Sequence, residues 1–174
     1  MSTVTASPAD RSWRTFPAAG ALVVRRGPVP ADDRLLMVRQ ARAGGVRWEV
    51  PGGNQEDGES FEEVAAREVA EECGVEITVG RLLCTYLLVR PAVQRTGIGV
   101  YFLAVAADPA AEPRTQVPEE ILEAAYLDPM AVPPDELGPV TGIVVRRWWQ
   151  HRRGRPERPF HVAVRRTADG YVDL

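Results

Sequence analysis

Three glutamates, Glu68, Glu71 and Glu72, stand at i, i+3 and i+4 in a stretch from Ser60 to Cys73 that has no glycine or proline. On a helix that spacing puts all three carboxylates on one face, within reach of a common point. Like charges crowded in this way repel, and a cation makes the arrangement favourable. Hard oxygen ligands select Mg²⁺ or Mn²⁺, ions that also bridge phosphate oxygens. A solvated acidic face is the plainer account of a Glu-rich helix. It leaves unexplained why the pair Gly52 and Gly53, which lets backbone approach a ligand, precedes the helix, and why Arg67 sits beside the acids.

The elements that must hold these residues are legible in outline. Phe61, Ala65, Val69 and Cys73 share a face at i, i+4 spacing, Ser60 and Glu63 form a capping-box pair, and Gly74 stands where a C-cap glycine belongs. Before the helix, Ala18 to Arg26 and Arg34 to Gln40 read as two strands joined by a turn-rich loop; Pro51, Gly52 and Gly53 should stop any regular element after Trp48 to Val50. After it, Ile77 to Val89 and Gly99 to Ala106 read as strands around a loop from Pro91 to Gly97. A short strand follows near Ala124 to Leu127, and a helix from about Pro139 to His151. The class is mixed α and β. We expect a flexible arm over residues 1–14, one domain over 15–155, and a C-terminal tail over 156–174 packed on the domain, with a strand at Phe160 to Arg166.

Composition narrows the chemistry further. The 174 residues suit one core, with 45% apolar and 26% charged residues as in globular proteins. All 21 basic residues are arginine, which excludes Schiff-base chemistry, a lysine general base and the lysine of a phosphate-binding loop. Cys73 and Cys84 are too few for a disulfide scaffold and fit no metal-ligand spacing, so they read as small core residues. His151 and His161 lie far from the glutamates in sequence, and no elbow motif presents a Ser or Cys nucleophile. A net charge of −3 argues against wholesale nucleic-acid binding. No apolar run is long enough to span a membrane and no secretory leader is visible, so the expected location is the cytoplasm.

From Gly53 to Val75 the sequence reads Gly, five residues, Glu59, seven residues, then Arg67-Glu68-Val69-Ala70-Glu71-Glu72-Cys73-Gly74-Val75. This resembles the Nudix hydrolases, whose signature it matches at every fixed position. With seven fixed residues, a chance match is on the order of one in a million. The resemblance implies an α/β/α sandwich with a mixed β-sheet carrying a loop-helix-loop catalytic motif. It also implies hydrolysis of a nucleoside diphosphate linked to another moiety, X, by water attack at phosphorus with no covalent enzyme intermediate. By the same resemblance Glu71 and Glu72 match the principal metal ligands, Glu68 a further ligand or the general base, and Gly52 a backbone-carbonyl ligand. Glu59 and Arg67 match positions that orient the helix and its acids. The expected cofactor is Mg²⁺, with Mn²⁺ able to substitute, and the expected partner is a small nucleotide, a homodimer being left open.

Substrate features lie outside the signature. Pro91 resembles a position typical of the members that act on ADP-ribose, and it equally fits a proline closing a strand. Glu119, Glu120 and Glu123 precede a late strand where many members supply a further acid; a charged loop is the equal alternative. Trp48 is expected to pack beneath the signature. Trp148 and Trp149, among Arg146, Arg147, Arg152, Arg153, Arg155 and Arg158, could grip RNA, although an amphipathic terminal helix is the better account. The leading expectation is therefore a metal-dependent pyrophosphohydrolase on ADP-ribose or a nucleotide sugar. The alternatives are a nucleoside triphosphate pyrophosphohydrolase, a catalytically silent nucleotide-binding regulator, and an RNA-end-processing protein.

Overall fold

Ser60 starts helix α1 (Phe61–Cys73) with a reciprocal cap: its hydroxyl accepts from the Glu63 amide at 3.2 Å, and the Glu63 carboxylate accepts from the Ser60 amide at 2.7 Å. Such a cap contributes about 1 kcal/mol. Gly74 ends the helix at φ 65°, a left-handed turn that glycine adopts without strain. The structure, a computed structural model, describes residues 12–42, 45–154 and 158–174. Among the described residues nine strands accompany two helices: β1 (Arg14–Arg25), β2 (Arg34–Arg42), β3 (Gly45–Glu49), β4 (Gly52–Asn54), β5 (Ile77–Arg90), β6 (Arg95–Ala106), β7 (Ile121–Leu127), helix α2 (Pro139–Trp148), β8 (Phe160–Thr167) and β9 (Gly170–Asp173).

The strands form one mixed sheet in the order β3-β2-β1-β6-β5-β8-β9, with β4 paired to β1 and β7 paired to β2. β1 runs parallel to β6, and β5 parallel to β8; the other pairs are antiparallel. Alternation along β1 divides the core into two layers. Ala19, Ala21 and Val23 face α1 with Val64, Val69 and Cys73, whereas Leu22 faces the opposite layer with Val144, Trp148 and Trp149. The result is the expected sheet between helices.

Several elements exceed their sequence-based bounds because a distant partner extends them. β1 begins at Arg14, four residues early, since β6 pairs with it from Arg95 onward. The anticipated loop from Pro91 to Gly97 contracts to a single 3-10 turn, Pro91–Val93, closed by Gln94 at φ 49°. β7 begins at Ile121, opposite Gln40. Gly52 and Gly53, expected to break regular structure, pair with Gly20 and Ala19 instead. A Cβ at Gly52 would lie 2.6 Å from the Ala19 carbonyl oxygen, so only glycine permits this approach. Residues 1–11 of the expected arm lie outside the described residues, while Trp13 donates to the Thr96 hydroxyl at 2.6 Å. The segment expected as a tail supplies β8 and β9, and β8 lies within the sheet beside β5.

Two expectations about aromatics are corrected or settled by packing. Trp48 is buried with Leu137 and Val140, in the layer under α2 rather than the layer under the signature helix. Trp148 and Trp149 are each 3% exposed and meet edge to face. Arg152 covers the Trp149 ring, and both Arg152 and Arg153 bond the buried Asp33. No tryptophan ring of that segment is therefore presented for stacking on a base. Arg155 lies outside the described residues.

Candidate active site

Arg67 is the hub around which the acids are arranged. Its guanidinium donates to both oxygens of Glu59, from Nε at 2.7 Å and Nη2 at 3.0 Å, and also to the Asn54 carbonyl at 3.1 Å. Its Nη1 donates to Glu68 Oε1 at 2.8 Å and to Glu71 Oε2 at 3.1 Å. The planar fork suits this bidentate grip on Glu59. The bond from Arg67, helped by the Glu56 amide, holds the Glu59 carboxyl down at about 2. Glu59 and Arg67 thus lock the loop before α1 to the middle of the helix.

Gly52 and Gly53 bring backbone against the remaining acids. The Gly52 amide donates to Glu72 Oε2 at 3.0 Å, and Glu72 is buried. Gly53 lies so close to Glu68 that a Cβ there would stand 2.2 Å from Glu68 Oε1. Burial pushes the Glu68 carboxyl upward, against the opposing pull of Arg67. Glu71 is the most open of the three, with its side chain 54% exposed. The chain that approaches these glycines is fixed from the far side of the sheet. Val50 donates its amide to the buried Thr141 hydroxyl at 3.2 Å, and Gly138 donates to the Trp48 carbonyl at 2.9 Å.

In donor chemistry the set fits a hard divalent cation: three carboxylates on one turn, with a glycine directly against one of them. Among the described residues no three His, Cys, Asp or Glu side chains converge into a ready cage. Arg67 accounts for this, since it draws one oxygen each from Glu68 and Glu71.

Gly52, Gly53 and Asn54 also line a cavity of about 360 Å³. Its walls include Tyr86 and Tyr101, whose ring centroids are 5.1 Å apart, with Glu49 and arginines from separate strands. Pro91 is exposed at its turn and does not line the cavity, although Arg90 and Arg95 on either side do. Glu119 and Glu120 lie in an exposed turn before β7, away from that lining, and Glu123 pairs in register with Arg39. Sequence reasoning passed over Glu49, Tyr86, Arg90 and Arg166. A signal for two of them existed, since Tyr86, Leu88 and Arg90 alternate on one face of β5.

Comparison with known proteins agrees with this architecture. Residues 14–148 match the NUDIX domain family. A MutT NUDIX hydrolase from Burkholderia pseudomallei superposes with TM-score 0.64 at 27% identity, covering 78% of this chain and 98% of that one. A NUDIX hydrolase from Nitrosomonas europaea superposes with TM-score 0.66 at 18% identity, covering 87% and 81%. Among curated proteins, a MutT-like protein of Streptomyces ambofaciens is 40% identical over 72 residues, 41% of this chain and 46% of that protein. The mouse diphosphoinositol polyphosphate phosphohydrolase 3-alpha is 46% identical over 52 residues, 30% of this chain and 31% of the mouse protein. The aligned segments thus span less than half the length of these curated relatives.

Proposed function

This chain belongs to the NUDIX family, and on that premise we propose that it is a divalent-metal-dependent hydrolase of the pyrophosphate bond in a nucleoside diphosphate linked to X, with ADP-ribose or a nucleotide sugar the first substrate class. The observation that carries this reading is the juxtaposition of Arg67, Glu68 and Glu72 with Gly52 and Gly53 at the edge of the arginine-lined cavity. Divalent metal use is general among Nudix hydrolases, and Mg²⁺, replaceable by Mn²⁺, is the ion we assign. Glu68, Glu71, Glu72 and the Gly52 carbonyl are the groups that would hold it. When bound, the ion supplies neutralisation of the diphosphate and a more acidic water.

The chain's own residues do the remainder. Glu59 and Arg67 keep the loop and helix in register, so the carboxylates keep their positions relative to the cavity. Glu68, set against Gly53, is the group placed either to join the ligands or to accept a proton from the attacking water. The buried Glu72 is oriented by the Gly52 amide. The experiment is a panel of ADP-ribose, nucleotide sugars, dinucleoside polyphosphates, nucleoside triphosphates and capped RNA, with phosphate read after a coupled phosphatase. Turnover should vanish in EDTA and return with Mg²⁺ or Mn²⁺; full activity in chelator removes the mechanism. A tenfold higher kcat/KM for a triphosphate, about 1.4 kcal/mol, would move the assignment to triphosphate hydrolysis.

A further inference from the structure

The cavity beside Gly53 is lined by four arginines, Arg47, Arg90, Arg95 and Arg166, against one carboxylate, Glu49, in a chain whose net charge is −3. Three of these arginines come from strand register. Arg90 and Arg95 are direct cross-strand partners, and Arg166 lies one residue beyond the Val89–Arg165 pair, beside Arg90. Arg14 pairs with Arg95 on the other side and extends the row. Like charges set opposite one another in a sheet are destabilising unless something offsets them. Among the described residues Arg90, Arg95 and Arg166 form no ion pair; Arg95 stacks on the Phe16 ring and Arg166 on the Tyr171 ring, while the buried Nε of Arg90 has no hydrogen-bond partner. A buried, unpaired guanidinium nitrogen is costly and calls for an acceptor.

Resting on the hydrolase reading above, we propose that the Arg90, Arg95 and Arg166 cluster binds a phosphate carried by X itself, outside the anhydride that is cleaved. The substrate class is then a pyrophosphate whose distal sugar or polyol bears a further phosphate. Spacing supports a distal rather than a scissile phosphate. The Ala18–Asn54 row, beside Gly53, and the Arg14–Arg95 row lie four residues apart along β1, roughly 13 Å. Arginine forks are suited to phosphate oxygens. Arg166 and its cross-strand partner Tyr171 also lie beyond residues 14–148, so this part of the pocket belongs to the C-terminal hairpin and not to the family-wide domain.

The test is titration calorimetry without divalent ion, comparing ADP-ribose with ADP-ribose 1″-phosphate, which differ by one phosphate. The phosphorylated compound should bind at least tenfold more tightly. Arg95→Ala and Arg166→Ala, both at exposed positions, should reduce that ratio to about threefold or less. Arg165→Ala, which removes the same charge from the opposite face of β8, should keep it. Equal affinities for the two compounds, no binding of the phosphorylated one at millimolar concentration, or a ratio unchanged in Arg166→Ala would each overturn the proposal. Turnover of both compounds with Mg²⁺ separates the two claims. No hydrolysis of either compound or of any other in the panel, with the binding ratio intact, removes the hydrolase reading and leaves the anion site standing.

Discussion

Replacing Gly53 by alanine should separate catalysis from folding. A Cβ there would stand 2.2, 2.3 and 2.5 Å from Oε1, Cδ and Oε2 of Glu68, whereas ordinary contact begins at 3.4 Å. All three atoms of the carboxylate are too close, so turning its terminal torsion gives no relief, and the group must retreat by about 1 Å. A misplacement of that size costs on the order of 10²-fold in rate, or about 2.7 kcal/mol. The fold should tolerate it, because the obstacle is the end of a flexible side chain and Gly53 is not among the positive-φ glycines. Restricting the unfolded chain even favours alanine by a few tenths of a kcal/mol to about 1. Gly52→Ala is the contrast: its Cβ would meet backbone, the Ala19 oxygen at 2.6 Å and Gly20 Cα at 2.7 Å, so stability should fall by about 1–3 kcal/mol. The assay is kcat on the best substrate of the panel, with thermal unfolding of both variants alongside. A Gly53→Ala protein with Tm within about 3 °C of the parent and undiminished kcat would refute the argument that the site depends on where Glu68 sits.

Further outcomes follow from the same geometry. Glu72→Gln should lower kcat by on the order of 10² to 10⁴ with the fold retained, and a folded variant with normal kcat would take Glu72 out of the site. Asp33→Ala should destabilise by about 2–3 kcal/mol, since it removes the buried acceptor shared by Arg152, Arg153 and the Gly27 amide. A Tm loss below about 3 °C would contradict that estimate. The same arginines hold the Asp33 carboxyl well below the usual carboxylate range, with the Arg153 bond the main cause. Its stabilisation is therefore complete above the unfolded value of about 3.9 and declines as pH falls below it. Urea unfolding from pH 5 to 2 should show a steeper loss of stability in the parent than in Asp33→Ala, where the remaining slope comes from lowered groups such as Glu59.

The signature from Gly53 to Val75 was legible because its determinants are local. Glu68, Glu71 and Glu72 reach one face through helical periodicity, and Ser60, Glu63 and Gly74 act within a turn of the helix ends. Periodicity and turn chemistry operate over a few residues, so reading order suffices for them. The extent of the strands was less legible, because β1 and β6 continue as far as their partners allow, and those partners are some eighty residues apart in sequence. The strand expected at Phe160 to Arg166 did form, but its place beside β5, and β9 pairing with it in turn, were set by contacts distant in sequence. Asp33 lies in the loop before β2, and only the fold brings Arg152 and Arg153 onto it. Tertiary structure alone also put Trp148 and Trp149 in the core and aligned Arg95, Arg90 and Arg166 in one row. A register between strands is set by the packing of whole faces, and a shift of one residue reverses every side chain, so no local pattern encodes that row.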